Sequence, residues 1–462
     1  MTVVTLLYPP QQTHPSHAHK PEASLAYPYL AGALREAGHE VKIYDACVGN
    51  EKDSPDVFCS GTDLESGLVR YGVPDDRILE EVADSAVVGI TSIFTAQETM
   101  ALHVGRLVKR AFPEKVLVTG GTNARSRSDV FLRAGFDVVC MSEAERAIVE
   151  VADCPRWIKG RMTQGRISNL DELPLPAWGL HPNGRYWEIG RPHGASTGPG
   201  FRYASVMTSR GCPYSCSYCH ISGEREGACI GTFRVKSAGR VREELAKLKA
   251  MGVEHLFVED DALFGRKQRG IDLLRRIAEF GFHLWGINGI NLAHLFKYER
   301  GEYVPDAELL DAMEECHFTA ISLPVESGSQ RIIDRYASGK WNIGRLDIGA
   351  LIFELEARGI SAGVNYMIGY PDETLEEIGA TVEMARAHMA AGARSANFMI
   401  VIPLPGTRLH GEAIRNGNLD EDFDPDTFNW RQASMKNTVV PAEELERIHK
   451  AVYEELNTAG AS

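Results

Sequence analysis

The sequence predicts an α/β protein with two parallel-sheet domains: a doubly wound sheet, then a partial (βα)6 barrel. Three observations carry this. Apolar runs of strand length alternate with helix-spaced segments five times over residues 1–150 and six times over 201–410. A chain of 462 residues exceeds one ordinary domain. A connector rich in proline and glycine, 151–200, separates the two series.

In the first series, strands are predicted at 3–8, 41–45, 86–90, 116–119 and 138–140, with helices at 24–37, 95–111 and 143–151. Residues 46–80, rich in Gly, Asp and Ser, read as an excursion or lid with little regular structure. Ligands of doubly wound sheets sit at the carboxyl ends of the strands, which gathers 8–10, Asp45, 91–95, 120–123 and 142–145 around one crevice. In the connector, the prolines of 170–178 exclude α-helix because they remove donors and impose extended geometry.

In the second series, strands are predicted at 203–208, 255–260, 284–291, 320–326, 363–369 and 396–403, with helices at 239–251, 268–281, 306–316 and 375–391 between them. Barrel chemistry gathers at the C-terminal strand ends. Residues 411–462 form a tail with an amphipathic helix at 441–456, expected to cap the barrel.

The net charge is −14, from 49 basic and 63 acidic residues. That argues against a general nucleic-acid partner, which needs a basic face. No run of about 18 apolar residues marks a membrane span. Nine cysteines, an odd number, and an N-terminus that reads as a strand point to a reducing, cytoplasmic setting.

The most informative stretch is Thr208-Ser-Arg-Gly-Cys-Pro-Tyr-Ser-Cys-Ser-Tyr-Cys-His220. Its C-x3-C-x2-C spacing supplies three thiolates, Cys212, Cys216 and Cys219, from one loop after the first barrel strand. Three ligands leave one iron of a 4Fe–4S cube open to another molecule. The competing reading is a zinc site with His220 as fourth ligand, but zinc ligands usually come as paired clusters and no second cluster follows.

This loop, with Tyr218 before the third cysteine, resembles the radical S-adenosylmethionine (SAM) superfamily. Val325-Glu-Ser-Gly-Ser329, Met367-Ile-Gly-Tyr-Pro-Asp-Glu-Thr374 and Leu404-Pro-Gly-Thr407 are similar to superfamily segments at the fourth, fifth and sixth strand ends. The resemblance covers about 200–410 and implies SAM at the open iron, with Glu259, Asp260, Asn288, Glu326, Ser327, Ile368 and Gly369 around it. The first domain resembles the cobalamin-binding domain of one branch of that superfamily, through Leu7-Tyr-Pro-Pro10, Ser24-Leu-Ala-Tyr27, Val88-Gly-Ile-Thr-Ser92, Val118-Thr-Gly-Gly-Thr122 and Met141-Ser-Glu-Ala-Glu145. The implied cobalamin contacts are Pro9, Pro10, Thr91, Ser92, Thr95, Gly120, Gly121, Thr122 and Glu143. The Asp-x-His-x-x-Gly motif that supplies a lower cobalt ligand is absent; Asp45-Ala-Cys-Val-Gly-Asn50 is its nearest echo. His14, His17 and His19 lie in the loop after the first strand.

The resemblance implies methylation of an unactivated carbon, or of phosphorus, in a small-molecule intermediate, with an external flavodoxin- or ferredoxin-like electron donor. Radical cyclisation, ring rearrangement or oxidation is the alternative; an iron–sulfur sensor without turnover is a third. For substrate, the residues leave two options at each position. Trp178, Tyr186, Trp187, Tyr203 and Trp430 line a pocket or pack, and Arg185 and Arg202 hold an anion or lie on the surface.

Overall fold

Six strands pair in parallel in the first half of the chain. They are β1 (Val3–Tyr8), β2 (Glu40–Asp45), β3 (Val87–Thr91), β4 (Val116–Gly120), β5 (Val138–Cys140) and β6 (Gly160–Met162). The computed structural model describes residues 1–15, 24–192, 197–228, 230–286, 288 and 290–458. These divide into two compact units, Met1–Ala204 and Ser205–Ser462.

The first sheet runs β2-β1-β3-β4-β5-β6. All five residues of β3 are buried, as expected for a central strand covered on both faces. The order reverses between β1 and β3, the switch point at which doubly wound sheets open their ligand crevice. Tyr27 ties this point together: its hydroxyl donates to the Leu7 carbonyl at 2.6 Å and accepts the Thr91 amide at 3.1 Å.

Two expectations are corrected here. Residues 46–80 are not irregular: they hold the 3-10 turn Pro55–Phe58, strands Thr62–Asp63 and Val69–Tyr71, and the helix Asp75–Val82. The two strands form a small antiparallel sheet with Gln11–Thr13. Strands of two or three residues are too short to display a period. The connector is not a mere linker either: Gly160–Met162 adds the sixth strand, beside β5. The proline segment makes no α-helix, only 3-10 turns at Leu170–Glu172 and Trp178–Leu180.

The second sheet contains β7 (Tyr203–Val206), β8 (His255–Val258), β9 (His283–Gly286), β10 (Phe318–Glu326), β11 (Ser361–Ile368) and β12 (Ser395–Ile400), adjacent in chain order. Sequential parallel neighbours with helices between them are the barrel pattern. The sheet stays open, with β7 and β12 as its edges. Of the strand predicted at 284–291, the structure describes His283–Gly286; Ile287 and Gly289 lie outside the described residues. An exposed edge invites pairing with another chain, and the tail covers β12. Asn457 on the helix Ala442–Thr458 accepts the Ala396 amide at 3.2 Å and donates to the Ala396 carbonyl at 2.9 Å. The Trp430 carbonyl accepts the Ile400 amide.

The turn after β11 shows how a strand end is held open. Gly369 has φ +88°, and the buried Glu373 carboxylate accepts its amide at 2.6 Å and that of Tyr370 at 3.2 Å. Burial raises the Glu373 carboxyl to about 8, against the lowering effect of those two bonds. Between the ordinary carboxylate range and about 8, the folded chain keeps a proton that the unfolded chain has released, so stability falls as pH rises across that window. Glu373→Gln keeps an acceptor and removes the ionisation. Its melting temperature is expected to match wild type at about pH 5 and to exceed it by roughly 5 °C at about pH 9; equal melting at both pH values would refute the assignment.

Candidate functional site

The cysteine loop leaves β7 through Ser209–Arg210, which pairs antiparallel with Arg234–Val235. Gly211 has φ +84°, and a Cβ there would meet the Thr232 carbonyl oxygen at 2.4 Å, so only glycine fits. The loop is fastened from every side. Asp261 accepts the Gly211 amide at 2.7 Å. Arg225 donates to the Cys212 and Tyr214 carbonyls, both at 2.9 Å. The Ser217 amide reaches the Tyr336 carbonyl at 2.7 Å, and the Ser217 carbonyl accepts the Leu409 amide at 2.9 Å. The Tyr214 hydroxyl pairs with His294 Nε2 at 2.9 Å.

Cys216 is buried, and Cys212 and Cys219 are partly so. Burial raises the Cys212 thiol to about 11 and the Cys219 thiol to about 12, and the charge of Cys216 adds to both. Cys216 thus disfavours the thiolate of each neighbour, and loading by metal displaces the protons; among the described residues no three such side chains are already gathered as a metal site. His220, the one candidate for a fourth zinc ligand, turns its Nε2 to the Pro405 carbonyl at 3.1 Å. Three thiols on a braced loop fit a cluster with one open iron better than a closed zinc site.

The other expected residues of this unit fall into different settings. Asp260 is fully buried and accepts three bonds: from the Thr208 amide at 2.6 Å, the Thr208 hydroxyl at 2.6 Å and the Ser209 hydroxyl at 2.5 Å. It braces the root of the cysteine loop. Arg269 donates to the Thr208 carbonyl and hydroxyl from the other side. Glu259, at the same strand end, is partly buried. Asn288 is exposed. Ser327 is buried and accepts the Ser329 amide. Ile368 is buried at the end of β11, beside Gly369. Glu326 stands out: it is 6 % exposed, has φ +72°, and pairs with Lys340 at 2.5 Å. Strain in a residue with a Cβ persists where the surroundings impose it, and it clusters at working sites.

In the first unit, the strand ends around the switch point are tightly connected. Pro9 and Pro10 are buried, and the Pro9 carbonyl accepts the Cys47 thiol at 3.1 Å. Cys47, the residue in the absent histidine's place, is thus buried and engaged. Asp45 beside it is raised to about 6 by burial, although its bonds from Tyr186 and the Cys47 amide pull the other way. Ser92 is buried and accepts Asn123 Nδ2 at 2.9 Å. Gly121 has φ +100°, and a Cβ on it would lie 2.5 Å from the Ser92 carbonyl oxygen. Gly120 has ordinary space, with Cys140 Cβ at 3.5 Å. Thr122 opens the next short helix and accepts Arg125 at 3.4 Å. Glu143 holds the connector by accepting the Ile167 amide at 2.7 Å. The Thr95 and Thr119 hydroxyls are buried with no hydrogen-bond partner among the described residues. A bare backbone turn flanked by two orphaned hydroxyls fits a large polar ligand at these strand ends.

Several contributors carry no sequence signal. Glu98, 2 % exposed, takes a two-point pair from Arg127 at 2.8 and 3.0 Å and a bond from Asn123 at 3.1 Å, fixing the Gly121 turn. Its partners lie 25 and 29 residues away. Arg185, a candidate anion holder, instead donates to the Val48 and Ser54 carbonyls. Arg202 lies over the Trp187 ring at 5.9 Å. Tyr186 bonds Asp45, Trp187 donates to the Tyr203 carbonyl and Trp178 is buried, whereas Trp430 is 41 % exposed. His17 and His19 lie outside the described residues.

Comparison with known proteins supplies the family. The B12 binding domain matches residues 18–152, and the radical SAM superfamily matches residues 206–385. The chain belongs to the radical SAM enzymes that carry a cobalamin-binding domain. This radical SAM protein is 26 % identical over 445 residues to cytidylyl-2-hydroxyethylphosphonate methyltransferase of Streptomyces wedmorensis, covering 85 % of this chain and 78 % of that one. It is 27 % identical over 468 residues to an uncharacterized methyltransferase of Pyrococcus horikoshii, covering 93 % and 86 %. Its fold is shared with the radical SAM methyltransferase TsrM of Kitasatospora setae, solved with cobalamin and a [4Fe-4S] cluster. There the TM-score is 0.62, with 18 % identity over 90 % of this chain and 78 % of that one.

Proposed function

We propose that this protein is a cobalamin-dependent radical SAM methyltransferase that modifies an unactivated carbon, or phosphorus, of a small-molecule biosynthetic intermediate. The observation that supports the reading is that one chain carries two features at strand ends: the braced three-cysteine loop and the Gly121 turn with its orphaned hydroxyls. The names of the Streptomyces and Pyrococcus relatives, both methyltransferases, support the same reaction class. A carbon without a lone pair cannot take a methyl cation directly, so two cofactors in one chain have a chemical reason. When bound, the cluster and SAM supply a radical that removes hydrogen from substrate, and cobalamin supplies the methyl group.

The chain's residues divide the work. Cys212, Cys216 and Cys219 hold the cluster. Glu326 and Ser327 are assigned to SAM, with Glu259, for its amino group or ribose, and Asn288 at neighbouring strand ends. Ile368 and the Gly369 turn are assigned to its adenine. Asp260 acts on SAM indirectly, through the loop it braces. Pro9, Pro10, Thr91, Ser92, Thr95, Gly120, Gly121, Thr122 and Glu143 are assigned to the cobalamin side, where Gly121 permits close backbone approach. Both sites must exclude water and oxygen while the radical exists.

The electron that starts SAM cleavage is assigned to an external flavodoxin- or ferredoxin-like donor. The cytoplasm is the proposed setting; among the described residues no helix is long and apolar enough to cross a membrane. The test is anaerobic incubation of the fully loaded enzyme with SAM carrying a labelled methyl group, a reductant and small-molecule extracts. A labelled product heavier by one CH2 is expected. Formation of 5′-deoxyadenosine with no labelled product would replace methylation by another radical reaction.

A further inference from the structure

No motif marks the turn that follows the helix Gln330–Tyr336, yet it is built against the cysteine loop. Ser338 and Gly339 are consecutive left-handed residues, at φ +57° and +56°. Such a pair reverses the chain sharply, and serine adopts it only under constraint. The constraints are visible. The Ser338 hydroxyl accepts the amide of Ser215, which lies between Cys212 and Cys216, at 3.2 Å. Three residues on, the buried Trp341 donates its ring N–H to the Val325 carbonyl at 3.0 Å. Between these two anchors stands Lys340. Its side chain is 10 % exposed, and its ammonium meets the buried Glu326 carboxylate at 2.5 Å.

Burying an ion pair carries a desolvation cost that packing alone would avoid. The position of the cation explains why it is there. The positive charge of Lys340 acts on Cys212 and Cys216, and Lys340 in turn feels Cys216 and Cys219. At Cys216 its effect is larger than the opposing one from Glu326. A 4Fe–4S core on three thiolates is an anion, and it becomes more negative when it accepts an electron. Net charge near a cluster is one of the factors that set its potential.

We propose that Lys340 is the charge-compensating residue of the cluster: its ammonium offsets the charge of the three iron-bound thiolates and sets the potential at which the cluster accepts an electron from its low-potential donor. The strained Ser338–Gly339 turn and the Trp341 anchor hold it there. Glu326 pairs with the ammonium and keeps it protonated. The proposal rests on the cluster assignment made above.

The experiment compares wild type with K340M, K340R, K340Q and the double variant E326Q/K340M, all reconstituted anaerobically. Iron and sulfide are measured first, then an EPR-monitored redox titration. K340M, K340Q and the double variant are expected to bind iron and to titrate at lower potential than wild type, with K340R close to wild type. The double variant leaves no unpaired buried charge, and K340Q keeps a donor for Glu326, so the comparison survives if K340M does not fold. Folded neutral variants that refuse iron, beside a K340R that takes it, would show the same compensation in stronger form. Any neutral variant with full iron and an unchanged potential overturns the proposal. Absence of iron from wild type would instead overturn the cluster assignment.

Discussion

Replacement of Asp260 by alanine is expected to cost the second unit roughly 3–5 kcal/mol and to lower its melting temperature by about 10 °C, with loss of bound iron. Three donors converge on this buried carboxylate, the Thr208 amide and the hydroxyls of Thr208 and Ser209. Alanine leaves all three buried donors without their acceptor, which is the expensive way to break a network. Arg269, which shares Thr208 with Asp260, is then also left with a weakened partner. Asp260→Asn keeps one acceptor and is expected to lose roughly 1–2 kcal/mol. Differential scanning calorimetry of the apo-protein with parallel iron analysis checks this. A D260A protein that melts like wild type but binds SAM more weakly would make Asp260 a direct ligand, not a brace.

Gly121→Ala is expected to destabilise the first unit by about 3 kcal/mol and to abolish cobalt retention. Two effects add. A φ of +100° is costly for any residue with a Cβ, and the new methyl group would sit 2.5 Å from the Ser92 carbonyl oxygen, a backbone atom tied to the neighbouring strand end. The neighbouring Gly120→Ala is the internal control: its Cβ meets only Cys140 at 3.5 Å, an ordinary contact, and its φ is not positive. It should fold as wild type does, which separates the cost of the strained turn from that of an added methyl group. Equal behaviour of the two variants in thermal melts and in cobalt content would sink the reading of this turn.

The strand pattern was readable because central parallel strands are continuously apolar. The runs at 3–8 and 138–140 became β1 and β5 with the expected ends. What escaped were short or composite elements. Gly160–Met162 has a glycine and an arginine in three residues and is a strand only because β5 offers it an edge. Among site residues, the cysteines announce themselves through spacing within one loop. Lys340 and Glu98 do not, since each has meaning only through partners brought near by folding: Glu326 at 14 residues' distance, Asn123 and Arg127 at 25 and 29. Asp260 was visible as an acid at a strand end, but whether such an acid faces a ligand or its own backbone depends on where Thr208 lies. Arg185 likewise reads as an anion holder until the Val48 and Ser54 carbonyls are seen to surround it.

The central claim, that one chain holds both a cluster and cobalamin, is tested most directly by metal analysis. The protein would be produced anaerobically with cobalamin supplied, purified, and its iron and cobalt counted beside a variant with Cys212, Cys216 and Cys219 replaced by alanine. The account predicts about four irons and about one cobalt per wild-type chain, and cobalt without iron in the variant. Four irons with no cobalt after reconstitution, or iron unchanged by loss of the three cysteines, would contradict it.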